Sequence, residues 1–289
     1  AVYLCAELWV EQGNLPEAET LLDLLHPRER ETQRWWETLL RLHYATHADY
    51  AEVLRLWNSR SEFQEDASAE TVVYVCAVLG QRGEFDKAFA LSQSRLEQDS
   101  LEPFLRCRLL EMRATFYHLQ GCTDKAASQN TEAMTMARTL DRPSYLAKLL
   151  RKEGIYAENQ NRFTYMIACY REALQLLSKH GSPLDKASLE SILASSLADQ
   201  GNYEEAENLL LTALSVLEQS DNKLLYCDGC VGLALLYLDW QPRYGKTMAL
   251  RYATPALELA RELGNQQMLH SSLTTLALAE AFSGNARRA

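Results

Sequence analysis

The sequence predicts an all-α chain built from tandem helical hairpins. Three observations carry that expectation. A short turn motif, fullest as DQGNYEEA around Gly201, recurs along the chain. Small residues keep fixed distances from the turn: Ala114, Gly154, Ala194 and Ala234 stand seven residues before it, and Ala133, Ala173, Ala213 and Ala253 twelve after it. Apolar residues elsewhere follow helical spacing, as at Leu189, Ile192, Leu193 and Leu197, and no segment sustains the alternation of a strand.

Taken in order, the first hairpin turns at Gly13 in EQGNLPEA and the second at Ala48 in THADYAEV. The third turns at Gly83 in QRGEFDKA, and the fourth at Gly121 in LQGCTDKA. Asn161 takes the glycine slot of the fifth, NQNRFTYM, and Gly201 that of the sixth. Gln241 stands there in the seventh, DWQPRYGK, and Gly284 opens a final half unit, FSGNARRA. From Gly121 through Asn161 and Gly201 to Gln241 the period is 40 residues.

Each slot has a physical reason. The turn residue closes a helix in the left-handed region, which glycine enters freely and asparagine tolerates. Small residues let two antiparallel backbones approach. The aromatic two residues past the turn (Tyr50, Phe85, Phe163, Tyr203) heads the second helix and staples it to a neighbour. Helix ends are marked too. Ser182 is an N-cap with Pro183 at the first helical position and Asp185 in the first turn, while helices break at Pro143 and at Gly264.

The order small residue, large apolar, glycine, aromatic, alanine, alanine stands nearly intact in Ala194, Leu197, Gly201, Tyr203, Ala206 and Ala213. It resembles the tetratricopeptide repeat (TPR). The resemblance implies an α-solenoid, a right-handed superhelix of about seven and a half hairpins forming one domain over residues 1–289. Two departures stand out: the proline that ends the family's second helix is mostly missing, and the period exceeds the family's usual spacing, which calls for longer helices or longer loops. The long period also resembles the sensor superhelices of maltose-type (LuxR-like, ATPase-linked) transcriptional regulators. The chain starts inside a first helix and stops at GNARRA, so a piece of a longer protein is expected.

Composition narrows the function. Twenty-nine basic against 39 acidic residues leave a net charge of −10, which disfavours a phosphate-neutralising surface and hence direct nucleic-acid binding. No apolar run reaches the ~18 residues of a membrane span, and the opening AVYLCAELWVEQGN lacks a basic leader. Seven cysteines, at odd count and at apolar helical positions, suggest a reducing, intracellular compartment.

Motifs with catalytic overtones are weak in this setting. YGKT, from Tyr244 to Thr247, echoes a phosphate loop, but Trp240 replaces its first glycine and no strand precedes it. CDGC, from Cys227 to Cys230, has the spacing of a metal or redox pair but falls within a helix and has no second pair. His43 and His47 lie one helical turn apart without a third ligand. No catalytic, cofactor-binding or metal-binding residue is assigned, and an enzyme is not expected.

The resemblance implies that first helices line a concave groove and bind a protein or peptide there. Its groove slots lie two, three, six and ten residues before the turn. Carried over, they give Glu111, Thr115 and His118 in the fourth unit, and Arg151, Ile155 and Glu158 in the fifth. The sixth contributes Ser191, Ser195 and Ala198, and the seventh Val231, Leu235 and Leu238. Arg108 and Lys148 add charge to the same wall. The family's carboxylate clamp needs an asparagine where Ile155 stands after Arg151, which disfavours a chaperone co-factor. The leading expectation is an interaction scaffold. The alternative is a sensor domain of a maltose-type regulator, taking a partner or a small-molecule effector.

Overall fold

The computed structural model describes residues 32–45, 50–220, 222–240 and 245–282, together with Glu17, Ala18, Thr20 and Leu22. The expected turn positions Gly13, Ala48, Gln241 and Gly284 lie outside the described residues. Among the described residues there are helices and turns and no strand. The chain divides into two compact units, one ending at Leu140 and the other beginning at Asp141.

The first unit contains α1 (Gln33–Ala45), α2 (Tyr50–Ser59), α3 (Ser61–Gln64), α4 (Ala69–Gln81), α5 (Phe85–Leu96), α6 (Pro103–Leu119) and α7 (Thr123–Thr139). Hairpins pair α1 with α2, α4 with α5 and α6 with α7, while the first helices α1, α4 and α6 also pack in succession. Trp36 anchors its core. The indole lies 5.4 Å from that of Trp57, stacked, and its Nε1 donates to the Leu56 carbonyl at 2.7 Å. A buried carboxylate ties α1 to the start of α4: Glu37 accepts from the Ser68 amide at 3.0 Å, from Thr71 Oγ1 at 2.9 Å and from the Ser68 hydroxyl.

The second unit contains α8 (Pro143–Asn159), α9 (Phe163–His180), α10 (Pro183–Asp199), α11 (Tyr203–Glu218), α12 (Lys223–Trp240), α13 (Gly245–Leu263) and α14 (Gln266–Phe282). Here α8 pairs with α9, α10 with α11 and α12 with α13. The first helices α10, α12 and α14 lie side by side.

The turns are built alike, and as the sequence requires. Gly83, Gly121 and Gly201 have φ of 75°, 74° and 79°, and Asn161 in the same slot has 56°. At each, the slot residue's N–H donates to the carbonyl three back and the next N–H to the carbonyl five back. At the third of these glycines, Gly201 reaches Ala198 at 2.8 Å and Asn202 reaches Leu197 at 2.9 Å. This double closure satisfies carbonyls that the helix end leaves open.

The small residues at repeated positions are contact points. Ala114 and Ala133 in the first unit, and Ala173, Ala194, Ala213, Ala234 and Ala253 in the second, are 0% exposed. The slot fourteen residues before the turn is small and buried as well: Cys107, Ala147, Ala187 and Cys227 fill it in successive repeats. The second helices α2, α5, α9 and α11 begin at the expected aromatics. Two of these reach the first helix of the following hairpin, Phe85 meeting Phe116 at 5.7 Å and Tyr203 meeting Trp240 at 5.9 Å.

The 40-residue period goes into helix length. Helices α6 and α7 have 17 residues each, against 13 and 12 in α4 and α5. Their connections stay short, as at 120–122 and 200–202. Ser182 caps α10 by accepting from the Asp185 amide at 3.1 Å, with Pro183 next in line.

Candidate partner-binding face

Helix α12 supplies the centre of the site. Asn222 starts it by accepting from the Leu225 amide at 3.2 Å. Cys227, Cys230, Leu233 and Ala234 turn into the core, while Asp228 and Leu235, seven residues apart and so on one helical face, remain exposed. On one side α10 presents Ser191 and Ser195. On the other, α14 presents Ser271.

These residues enclose a cleft of about 240 Å3, lined by Ser191, Ser195, Asp228, Val231, Leu235 and Ser271 among others. Four of the expected wall residues, Ser191, Ser195, Val231 and Leu235, therefore meet in one place. Val231 is its buried floor and Leu235, 39% exposed, its apolar rim. The serine hydroxyls donate back into their own helix, Ser191 to Ala187 O at 3.2 Å and Ser195 to Ser191 O at 3.3 Å, which leaves their oxygens able to accept. A second cleft of about 310 Å3 adjoins it, sharing Asp228 and Ser271 and continuing past Leu224 and Met268.

Other expected residues fall elsewhere. Lys148, Arg151, Ile155 and Glu158 lie on α8 and do not line either cleft. Arg151 and Glu158 are exposed there, and Lys148 Nζ stands 5.5 Å from the Tyr145 ring. Leu238 is a correction: three residues beyond Leu235, it has rotated into the core and is 8% exposed. Glu111 is another, at 7%. It shares with Val231 the slot ten residues before the turn, which is buried at both positions although Arg151, in the same slot, is exposed.

The first unit has its own first-helix face. Tyr44 and Tyr74 have ring centroids 4.7 Å apart, and the Arg108 guanidinium lies 5.7 Å from Tyr74. Arg41 reaches Glu70 at 3.5 Å, and Glu70 accepts from the Tyr74 hydroxyl at 3.1 Å. Thr115 and His118 are half-buried on α6, and Thr115 donates to the Glu111 carbonyl at 3.0 Å. A 650 Å3 cleft in this unit lies instead along α2, α4 and α5. None of the expected residues line it, and its Arg55 and Lys87 are already paired with Glu52 and Glu84.

Asp228 lines both clefts but is absent from the expected wall residues, although the sequence carries a signal for it. Asp228 stands thirteen residues before Gln241, in the slot that holds Arg108 before Gly121 and Lys148 before Asn161. The slot chosen for its positive charge turns negative in the seventh unit.

The two cysteines of CDGC are buried in the core. Cys227 Sγ donates to the Ala256 carbonyl at 3.2 Å, and Cys107, in the same slot, to Ala133 at 3.1 Å. Burial pushes the Cys230 thiol up to about 11. Among the described residues no three His, Cys, Asp or Glu groups cluster as metal ligands. His47 and Tyr244 lie outside the described residues; Gly245 opens α13. No helix among the described residues is long and apolar enough to cross a membrane.

No protein-family model and no curated protein matches the chain. Solved structures do. A protein described as a kinesin light chain of Podosopora anserina with nearly identical TPR-like repeats is 12% identical, with a TM-score of 0.57 over 68% of this chain and 97% of that one. A Rap protein complexed with Competence and Sporulation Factor is 12% identical, with a TM-score of 0.66 over 99% of this chain and 83% of that one. Cut9, in the APC/C hetero-tetramer Cut9-Hcn1, is 16% identical, with a TM-score of 0.67 over 96% of this chain and 48% of that one. At such identities the likeness establishes the fold, an all-α stack of TPR-type hairpins.

Proposed function

We propose that this chain is an interaction scaffold that holds a peptide or helix of a partner protein on the first-helix face of its second unit. The observation that carries the proposal is the meeting of Ser191, Ser195, Val231 and Leu235, residues of two different repeats, around one cleft. Two clefts that run on from one another along a wall built by three successive first helices suit an extended chain of residues. Two of the similar structures support the reading, since one is a complex with Competence and Sporulation Factor and the other a Cut9-Hcn1 hetero-tetramer.

Panning a displayed dodecapeptide library on the purified chain tests it. Selected peptides should lose at least tenfold in affinity, about 1.4 kcal/mol, on Leu235→Glu while circular dichroism stays unchanged. Peptides indifferent to Leu235→Glu but lost on Leu211→Glu, which alters an exposed leucine of α11, would move the function to the second helices.

A further inference from the structure

Asp228 is the one charged residue lining the two adjoining clefts, among the described residues, and it stands where they meet. Around it are hydroxyls and amides (Ser191, Ser271, Asn265) and apolar side chains (Leu224, Leu235, Met268). Neither cleft offers it a cation. Glu190 on α10 is different: it is buried and already has Lys186 at 3.5 Å.

From this we infer that the junction is a recognition site for a basic side chain, the lysine ammonium or arginine guanidinium of a bound peptide, with Asp228 as its counter-ion. The inference rests on the groove reading above and specifies its ligand. Charge complementarity selects the occupant. A carboxylate open to a cleft but flanked by helices on both sides is partly stripped of water, and an incoming cation replaces what was lost. The push of burial on the Asp228 carboxyl, above its ordinary value, agrees. Acceptor oxygens on Ser191 and Ser271 can take further N–H donors of the same group, and Leu235 and Leu224 cover the aliphatic stem that long basic side chains carry. An acidic peptide is disfavoured by the same geometry, because it would bring a second carboxylate to a site with no cation to share.

The dodecapeptides selected above, made with a fluorescein label, are the probe. They should carry a lysine or arginine and lose at least tenfold in affinity on Asp228→Asn. Replacing that basic residue by glutamine should cost the same, and combining the two changes should add little. Higher salt should weaken binding to the native chain more than to Asp228→Asn. Asp228→Lys, panned afresh, should select acidic peptides. Peptides that depend on Leu235 but lack a basic residue, or ignore Asp228→Asn, would overturn the cation site and leave the groove reading standing. Peptides indifferent to both positions, or no binders at all, would overturn both.

Discussion

Gly154 on α8 lies so close to Tyr170 on α9 that a Cβ added to the glycine would stand 2.1 Å from Cε1 of the ring. Tyr170 is 1% exposed and has no room to retreat. Gly154→Ala should therefore cost ~1–3 kcal/mol, read as a lowered urea midpoint. Combining it with Tyr170→Leu should recover part of the loss relative to the sum of the single changes. Simple additivity would show that the contact is not the cause.

The alanine slots make a parallel case. Ala194 and Ala213 are both fully buried, on the two helices of one hairpin. Leucine at either should destabilise by ~1–3 kcal/mol through overpacking, measured by thermal or urea unfolding. Ser195→Leu, beside them but exposed, should be nearly silent.

Turns can be tested without touching any packing. Nothing lies within 4 Å of where a Cβ would stand at Gly201, so Gly201→Ala probes backbone conformation alone. With φ at 79° the change should cost ~1–2 kcal/mol. The opposite change, Asn161→Gly, should be neutral or stabilising by up to ~1 kcal/mol, because it relieves a side chain held at 56°. Calorimetric midpoints moving the other way in either variant would contradict the turn assignment.

Acid should find Glu37. Burial pushes its carboxyl up, but hydrogen bonds from Ser68, Gln33 and Thr71 outweigh that and hold it below the ordinary value of 4.5. A group with a lowered folded pKa contributes stability above its unfolded value, and the contribution fades as pH falls through the folded one. The native chain should thus lose stability below about pH 4.3 in part through this group. Glu37→Gln should be less stable at neutral pH by ~1–3 kcal/mol, with the gap narrowing toward pH 2. A gap independent of pH would assign the loss to packing.

The fold was legible because the turn constrains residue type. Glycine, and next asparagine, fits its backbone most easily and small residues fit the hairpin contacts, so the period of Gly121, Asn161 and Gly201 announced both. The wall was legible in part. A slot rule gives an angle around the helix, enough to gather Ser191, Ser195 and Leu235, but not how deeply the next helix covers that angle. Leu238 and Glu111 were misjudged for that reason. Tyr44 and Tyr74 went unseen because they precede Gly121, where the fixed 40-residue spacing begins.

The paired thiols of the fourteenth slot have a practical consequence. Cys107 and Cys227 occupy equivalent places in different units, each buried with its sulfur on a backbone carbonyl of the facing helix. Burial raises both, Cys107 to about 11, so neither is a thiolate at neutral pH while its hairpin stays closed. Alkylation of each sulfur then becomes a clock for the opening of its own hairpin, and exposed Cys122 supplies the time standard for a thiol in the open. Mass spectrometry of singly labelled peptides would time the two units separately in one tube, with no residue changed.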